Sequence, residues 1–468
     1  MKSRTNNSGW TFAIVSTALF MVVLDNLVVT NALPSIKRDL GADIQQLEWT
    51  VNAYTLSYAV LLLTGAAIGD RFGRRRVFSL GLGLFTLASA AAALAPSTSA
   101  LIAARAVQGV GAAVVTPLTL TLLSEAVPVE KRGLAIGAWS GISGLAVALG
   151  PVVGGAVVTG ISWHWIFWLN VPIGLVAAPL AMARLSESYG ESRGLDLPGV
   201  GLASAGLLGL VYGIVHASSA GWTAFSVVAP MAAGAVLIAA FVAWELRAAE
   251  PMLPMSFFRS RAFAATNGVS IAMYFGTFGS VFLLAQFFQV AQGYSALQSG
   301  LRILPWTVMP MFIAPLAGWL SDRIGGRPLM AAGLALQGGG LAWLASATSP
   351  TVAYIHLVPG FVMAGAGMAL VFAPAANTVL GAVRPKQAGQ ASGATNALRE
   401  LGGVLGISVL ATVFSGSGGY LSPQDYVDGL VPAITAGSAV LFTGALVALL
   451  VPAKRRERSH PEAEAVTA

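Results

Sequence analysis

The sequence predicts an all-helical membrane protein of fourteen transmembrane helices, two six-helix bundles plus two inserted central helices. Three observations predict it. The first is composition: 56% of the 468 residues are hydrophobic and 10% are charged, where a soluble domain carries about 25% charged residues. A span needs about 20 apolar residues, so the chain could supply roughly a dozen. The second is the distribution of Lys and Arg, which alternates from loop to loop. The third is an internal repeat, the mark of many transporter folds.

Each span is bounded by its own signals. The first, 12–34, follows Lys2 and Arg4 and runs past Asp25 to Leu33 without a small-residue cleavage site, so it is a retained helix and not a signal peptide. The second, 48–69, ends at the basic turn Asp70–Arg76. Pro96 divides 77–95 from 99–123. Lys131 and Arg132 precede the glycine-rich span 134–158, and Arg184 closes the Trp-rich span 164–184. Spans 199–216 and 225–246 lie between Arg193 and Arg247. Arg259 and Arg261 open 263–290, and Asp322–Arg327 closes 300–321. Pro350 divides 329–346 from 353–379, Arg384 and Lys386 precede 393–415, and the last span, 429–451, runs into Lys454–Arg458. The implied organisation is an N-terminal bundle at 1–184, a two-helix linker at 185–262, a C-terminal bundle at 263–453 and a cytoplasmic tail at 454–468.

Charge tests that count independently. With the N-terminus inside, 21 of the 26 basic residues fall in cytoplasmic segments, whereas only Lys37 and Arg38 fall outside. A missed span would invert every later loop, so both termini are expected in the cytoplasm of a multi-pass plasma-membrane protein. The net charge of +7 sits in short blocks between spans, so no nucleic acid is expected as a partner. Cys is absent, which excludes disulfides, thiol chemistry and thiolate metal sites. No GxxxxGK[ST] loop is present, so no nucleotide is expected. No cofactor or metal site is predicted, and the short loops suit a monomer with the bilayer as its surroundings. The stretch Gly141-Ile142-Ser143-Gly144 matches a short intramembrane-protease pattern, but no histidine is placed to serve it.

The repeat joins Gly69-Asp70-Arg71-Phe72-Gly73-Arg74 after the second span to Ser321-Asp322-Arg323-Ile324-Gly325-Gly326-Arg327 after the tenth. A second pair joins Gly109 and Gly111 to Gly365 and Gly367. The first span also reads Leu24-Asp25-Asn26 through Asn31-Ala32-Leu33-Pro34, the fourth Arg105-x-x-Gln108-Gly109-x-Gly111, and the fifth Gly150-Pro151-x-x-Gly154-Gly155 with Gly137 upstream. Trp163–Pro172 leads into the sixth. In this order the motifs resemble the major facilitator superfamily, specifically its 14-helix drug:proton antiporter branch. Ala66 and Ala146 stand where the family has Gly, and His164 where Arg is usual.

The resemblance implies proton-coupled antiport that exports amphipathic drugs or antibiotics by alternating access. The competing reading is an uptake symporter or facilitator for a metabolite. An intramembrane carboxylate is costly and usually functional, so Asp25 is the first candidate for proton coupling, with Glu400 second. Arg105 cannot deprotonate and is implied to bias a nearby carboxylate. Asp70, Arg71, Gly73 and Arg74, and their counterparts Asp322, Arg323 and Gly325, are implied to gate. Family pattern sets each motif Asp against a helix N-terminus of the other half, where a carboxylate is favoured. Gly137, Gly150, Pro151, Gly154 and Gly155 form the antiporter motif. Asn31, Asn52, Tyr54, Gln108, Gln286, Gln289, Asn396 and Arg399 are candidates for the substrate cavity, as polar groups in an apolar shell.

Overall fold

The computed structural model describes residues 2–189, 196–251, 253–384 and 387–453. The tail at 454–468 and the side chain of Asp322 lie outside the described residues, as does Gly137 beyond its place in a helix. All regular structure among the described residues is helical. The helices are α1 (Lys2–Leu40), α2 (Ile44–Phe72), α3 (Arg74–Ala93), α4 (Thr98–Ala126), α5 (Val129–Gly160), the single turn α6 (Trp165–Trp168), α7 (Asn170–Arg184), α8 (Leu197–Ala220) and α9 (Phe225–Glu245). After a 3-10 turn at Met255–Arg259 come α10 (Arg261–Val290), α11 (Ala296–Ile324), α12 (Gly326–Ala347), α13 (Tyr354–Gly381), α14 (Ala388–Ser417) and α15 (Pro423–Ala448). Twelve spans among the described residues are long and apolar enough to cross a membrane, with α6 and α7 counted as one. A bent α2 makes thirteen. In α5 the described apolar stretch is Leu149–Gly160.

The helices run beyond the apolar stretches read from sequence. α1 passes through Pro34 to Leu40 with Lys37 and Arg38 in its last turn, where cations suit the negative end of the helix dipole. Local chemistry fixes the turns. Asp43 and Gln46 cap the start of α2 reciprocally, and Ser295 and Gln298 do the same for α11. Gly73 and Gly325 join α2 to α3 and α11 to α12 at φ of +104° and +85°, a backbone region that a side chain would strain.

These devices recur at the offset separating Asp70 from Asp322, and the repeat extends into packing. A Cβ on Gly109 would strike the carbonyl of Tyr54, and one on Gly365 the carbonyl of Trp306. Gly111 sits as closely on Gly81 as Gly367 does on Gly333. Equivalent glycines thus let α4 approach α2 and α3, and α13 approach α11 and α12, in the same way.

α1–α7 pack among themselves, as do α10–α15. α5 meets α11 and α2 meets α14 between these groups, while α8 lies against α2 and α14 with α9 on its outer face. Gly268 beside Val447, Gly276 beside Leu441 and the Tyr426 hydroxyl on the carbonyl of Leu283 set α15 antiparallel to α10. Gln289, at the end of α10, bonds the carbonyl of Asn31 near the end of α1. The start of α1 and the end of α15 therefore share one side, called here the terminal side.

The groups are bridged on the far side. Leu297 N–H donates to Thr159 Oγ1 (3.1 Å), Asn52 Nδ2 to Ser408 Oγ (2.9 Å) and Gln289 Nε2 to Asn31 O (3.2 Å). The Lys37 ammonium lies 3.3 Å from the centroid of the Tyr420 ring. Gly155 is pressed onto the backbone of Ala296 and Leu297, and Gly300 onto the carbonyl of Pro151. Towards the terminal side of α5 the contact is lost: a Cβ on Gly141 or Gly144 would meet nothing within 4 Å.

Candidate functional site

Asp25 lies at mid-length of α1 with its side chain wholly buried. Its Oδ2 is 2.5 Å from Arg105 Nη1 of α4, and its Oδ1 accepts from Gln108 Nε2 (2.9 Å) and Asn170 Nδ2 (2.6 Å). Arg105 and Gln108 stand three residues apart on one face of α4 and bond each other at 2.7 Å. Arg105 Nε donates to the carbonyl of Thr50 (3.2 Å) and its guanidinium lies 4.2 Å from the Tyr54 ring centroid. Ser89 of α3 accepts from both amides, at 2.6 and 3.0 Å. Five helices thus converge on one carboxylate.

A buried pair of this kind survives desolvation only with its remaining donors and acceptors satisfied. Three donors reach Asp25, while Arg105 Nη2 alone has no partner. The arrangement places one carboxylate, able to be charged or protonated, against one permanent cation. Asp25, Arg105, Gln108 and Tyr54 are brought together here. Asn170 and Ser89 were not expected. Asn170 lies in the Trp163–Pro172 motif that leads into the sixth span, but no role attaches to it there.

Glu400 and Arg399 lie on α14, facing this site across two tyrosines. Tyr54 is within electrostatic range of Asp25, Arg105 and Glu400, and Tyr58, stacked on it at 6.1 Å, is within range of Glu400 and Tyr274. Arg399 is 5% exposed, and its Nε and Nη2 have no partner; Glu400 Oε2 has none either. Asn396 is half-buried on the same helix.

The other cavity candidates stand elsewhere in this arrangement. Asn31 donates to the carbonyl of Pro151 (2.7 Å), Gln286 accepts from the Tyr420 hydroxyl (2.7 Å), and Asn52 and Gln289 bridge the groups as described. Of these bonds, those of Asn52 and Gln289 join the two groups, whereas those of the Asn31 and Gln286 side chains lie within one group each. The glycines of α5 divide between two contacts: Gly150 seats on Leu27 and Gly154 on the backbone of Val28, both of α1, whereas Gly155 seats on α11.

On the terminal side, Asp70 bonds Arg74 (2.7 Å), and Arg74 also pairs with Glu125 at the end of α4. Arg71 lies over Phe72 and Arg323 over Trp319. Glu187, after α7, accepts from the Arg75 backbone N–H (2.9 Å) and lies beside the Arg75 and Arg76 guanidinium groups. It caps the start of α3, whose own cap residue, Gly73, has no side chain for the task. The described bonds of Asp70 thus stay within its own group of helices.

The Major Facilitator Superfamily model matches residues 15–407. The chain belongs to the major facilitator superfamily. Among its relatives, Multidrug resistance protein Stp of Mycobacterium tuberculosis (strain CDC 1551 / Oshkosh) is 36% identical over 85% of this chain and 74% of that protein. Cephamycin export protein CmcT of Amycolatopsis lactamdurans is 36% identical over 97% and 94%. Puromycin resistance protein pur8 of Streptomyces alboniger is 33% identical over 98% and 94%. A crystallised POT family transporter superimposes with a TM-score of 0.70 over 94% of this chain and 95% of that one, at 13% identity. The superfamily fold therefore extends over nearly the whole chain, which is a multi-span membrane transporter.

Proposed function

We propose that this major facilitator exports amphipathic drugs or antibiotics across the plasma membrane in exchange for protons. The observation that carries the reading is the buried Asp25–Arg105 pair, a carboxylate whose protonation can be set against a fixed cation. Relatives named for drug resistance and antibiotic export supply the direction and the class of cargo. Counting α5, the chain has fourteen spans: halves at 1–184 and 263–453 with α8 and α9 inserted between them. With both termini cytoplasmic, the terminal side faces the cytoplasm and the bridged far side the exterior.

In this cycle substrate enters from the cytoplasm between the halves, near Tyr58, Tyr274, Asn396, Arg399 and Glu400. Rocking closes the terminal side, where Asp70 and Asp322 with their Arg and Gly neighbours act as the gate, and opens the far side, where Gly155 packs on α11 and Gly300 on Pro151. Asp25 takes up a proton from the exterior and gives it up inside, with Glu400 as the second carboxyl of the route. A uniform affinity for both states would move nothing; the proton must favour one of them.

The test uses proteoliposomes of the full chain under an imposed proton gradient, with puromycin and a cephamycin as cargo. Accumulation that a protonophore abolishes is expected. Equilibration without accumulation would reduce the protein to a facilitator.

A further inference from the structure

Among the described residues Arg399 is a buried guanidinium with no ion pair of its own: Glu400 lies within electrostatic range of it, but no bond joins them. Arg105, the other buried arginine of the interior, is matched by Asp25. Arg399 is not: Nε and Nη2 are unpartnered, no carboxylate among the described residues is bonded to it, and the centroid of the Phe372 ring lies 4.7 Å from the guanidinium carbon. The adjacent Glu400 projects about 100° away around the helix. Burying a cation with unmatched donors is costly, and such a charge is retained where something else brings the acceptor.

The surroundings indicate what that is. Phe372 is 37% exposed although it lies one turn along α13 from Met368, whose sulfur meets Thr277 of α10. Tyr274, within electrostatic range of Arg399, stacks on Phe278 at 5.3 Å. An aromatic platform borders the unmatched fork.

We infer that Arg399 selects the cargo by charge, binding the acidic group of an amphipathic organic anion whose ring system rests on Phe372 and Tyr274. This rests on the export reading for the location of the site. A planar guanidinium suits a carboxylate, which it can meet with two parallel N–H bonds.

The full chain in nanodiscs is titrated at neutral pH, without any gradient, with 9-anthracenecarboxylate and its neutral carboxamide, each followed by its own fluorescence. The acid is expected to bind about tenfold or more tightly than the amide, as for one charge-assisted contact. Arg399→Gln and Arg399→Met should each abolish the difference while leaving amide affinity within about twofold, and Arg399→Lys should keep part of it. Equal affinities in the unaltered protein overturn the inference, as does a preference for acid that survives removal of the guanidinium. If acid preference holds but a proton gradient accumulates neither compound nor puromycin, the export reading fails and the role of Arg399 stands. Uphill export of puromycin without acid preference gives the reverse.

Discussion

At the scale of single residues, the Asp25 cluster makes two predictions. Asp25→Asn keeps the shape of the side chain but turns one of its two acceptor oxygens into a donor and holds no exchangeable proton. It should reach the membrane and bind cargo, yet fail to accumulate it under a proton gradient. Uphill transport by this variant in proteoliposomes would move the coupling proton to Glu400. Arg105→Ala removes one partner of a buried pair, which costs about 3–5 kcal/mol in measured cases; adding Asp25→Asn should recover a large part of that loss, because the orphaned carboxylate is gone. Thermal unfolding of the four proteins in detergent checks this, and additive losses would mean that the pair is not coupled. Asp25 and Arg105 announce themselves in sequence as charges inside apolar runs. Asn170 and Ser89 do not. A bond between residues 25 and 170 spans 145 positions, and polar residues in membrane helices are commonly interhelical glue with no local signature.

At the scale of elements, α5 divides into a packed end and a free end. Gly155→Leu would drive a side chain into the backbone of α11, which cannot yield as a flexible side chain does. It should separate the far side and shift the protein towards the opposite-facing state, read as increased labelling of a cysteine placed at Thr159. Gly141→Leu faces open space and should leave labelling unchanged. Equal effects from both would remove the distinction between the two ends. The glycine pattern was legible in the sequence, but which glycines bear a neighbour was not, since that depends on where α1 and α11 arrive. Glu125 and Glu187 were missed for a related reason. Each closes an element of ordinary composition and gains its role only because Arg74, Arg75 and Arg76 fold back beside it.

At the scale of the whole molecule, the bridge between Asn52 and Ser408 spans the two groups, and the chain has no native cysteine to confuse a cross-link. A disulfide between Asn52→Cys and Ser408→Cys should lock the far side shut, abolish transport and leave cargo binding from the terminal side intact, with a reductant restoring turnover. Transport through the locked protein would exclude rocking about this interface. Topology is tested separately: reporters active only in the cytoplasm, fused after Thr223 and after Ala249, should be silent and active respectively. Equal signals would remove α8 and α9 as a pair of spans.

Composition and the alternation of basic loops were enough to predict an all-helical membrane protein. The offset between Asp70 and Asp322 was enough to reveal its repeat, because apolar length, charge and turn chemistry are local properties that a linear pattern carries. The capping boxes and the two left-handed glycines repeat at that same offset, so the elements and their turns were all but written in order. What brought Asp25 to Arg105, left Arg399 without an ion pair among the described residues, and set Asn52 and Gln289 across the two groups was the packing of helices far apart in the chain. Such contacts depend on how one helix is rotated against another. A polar side chain in a membrane helix has the same local sequence whether it faces a partner, a cavity or a second half of the molecule.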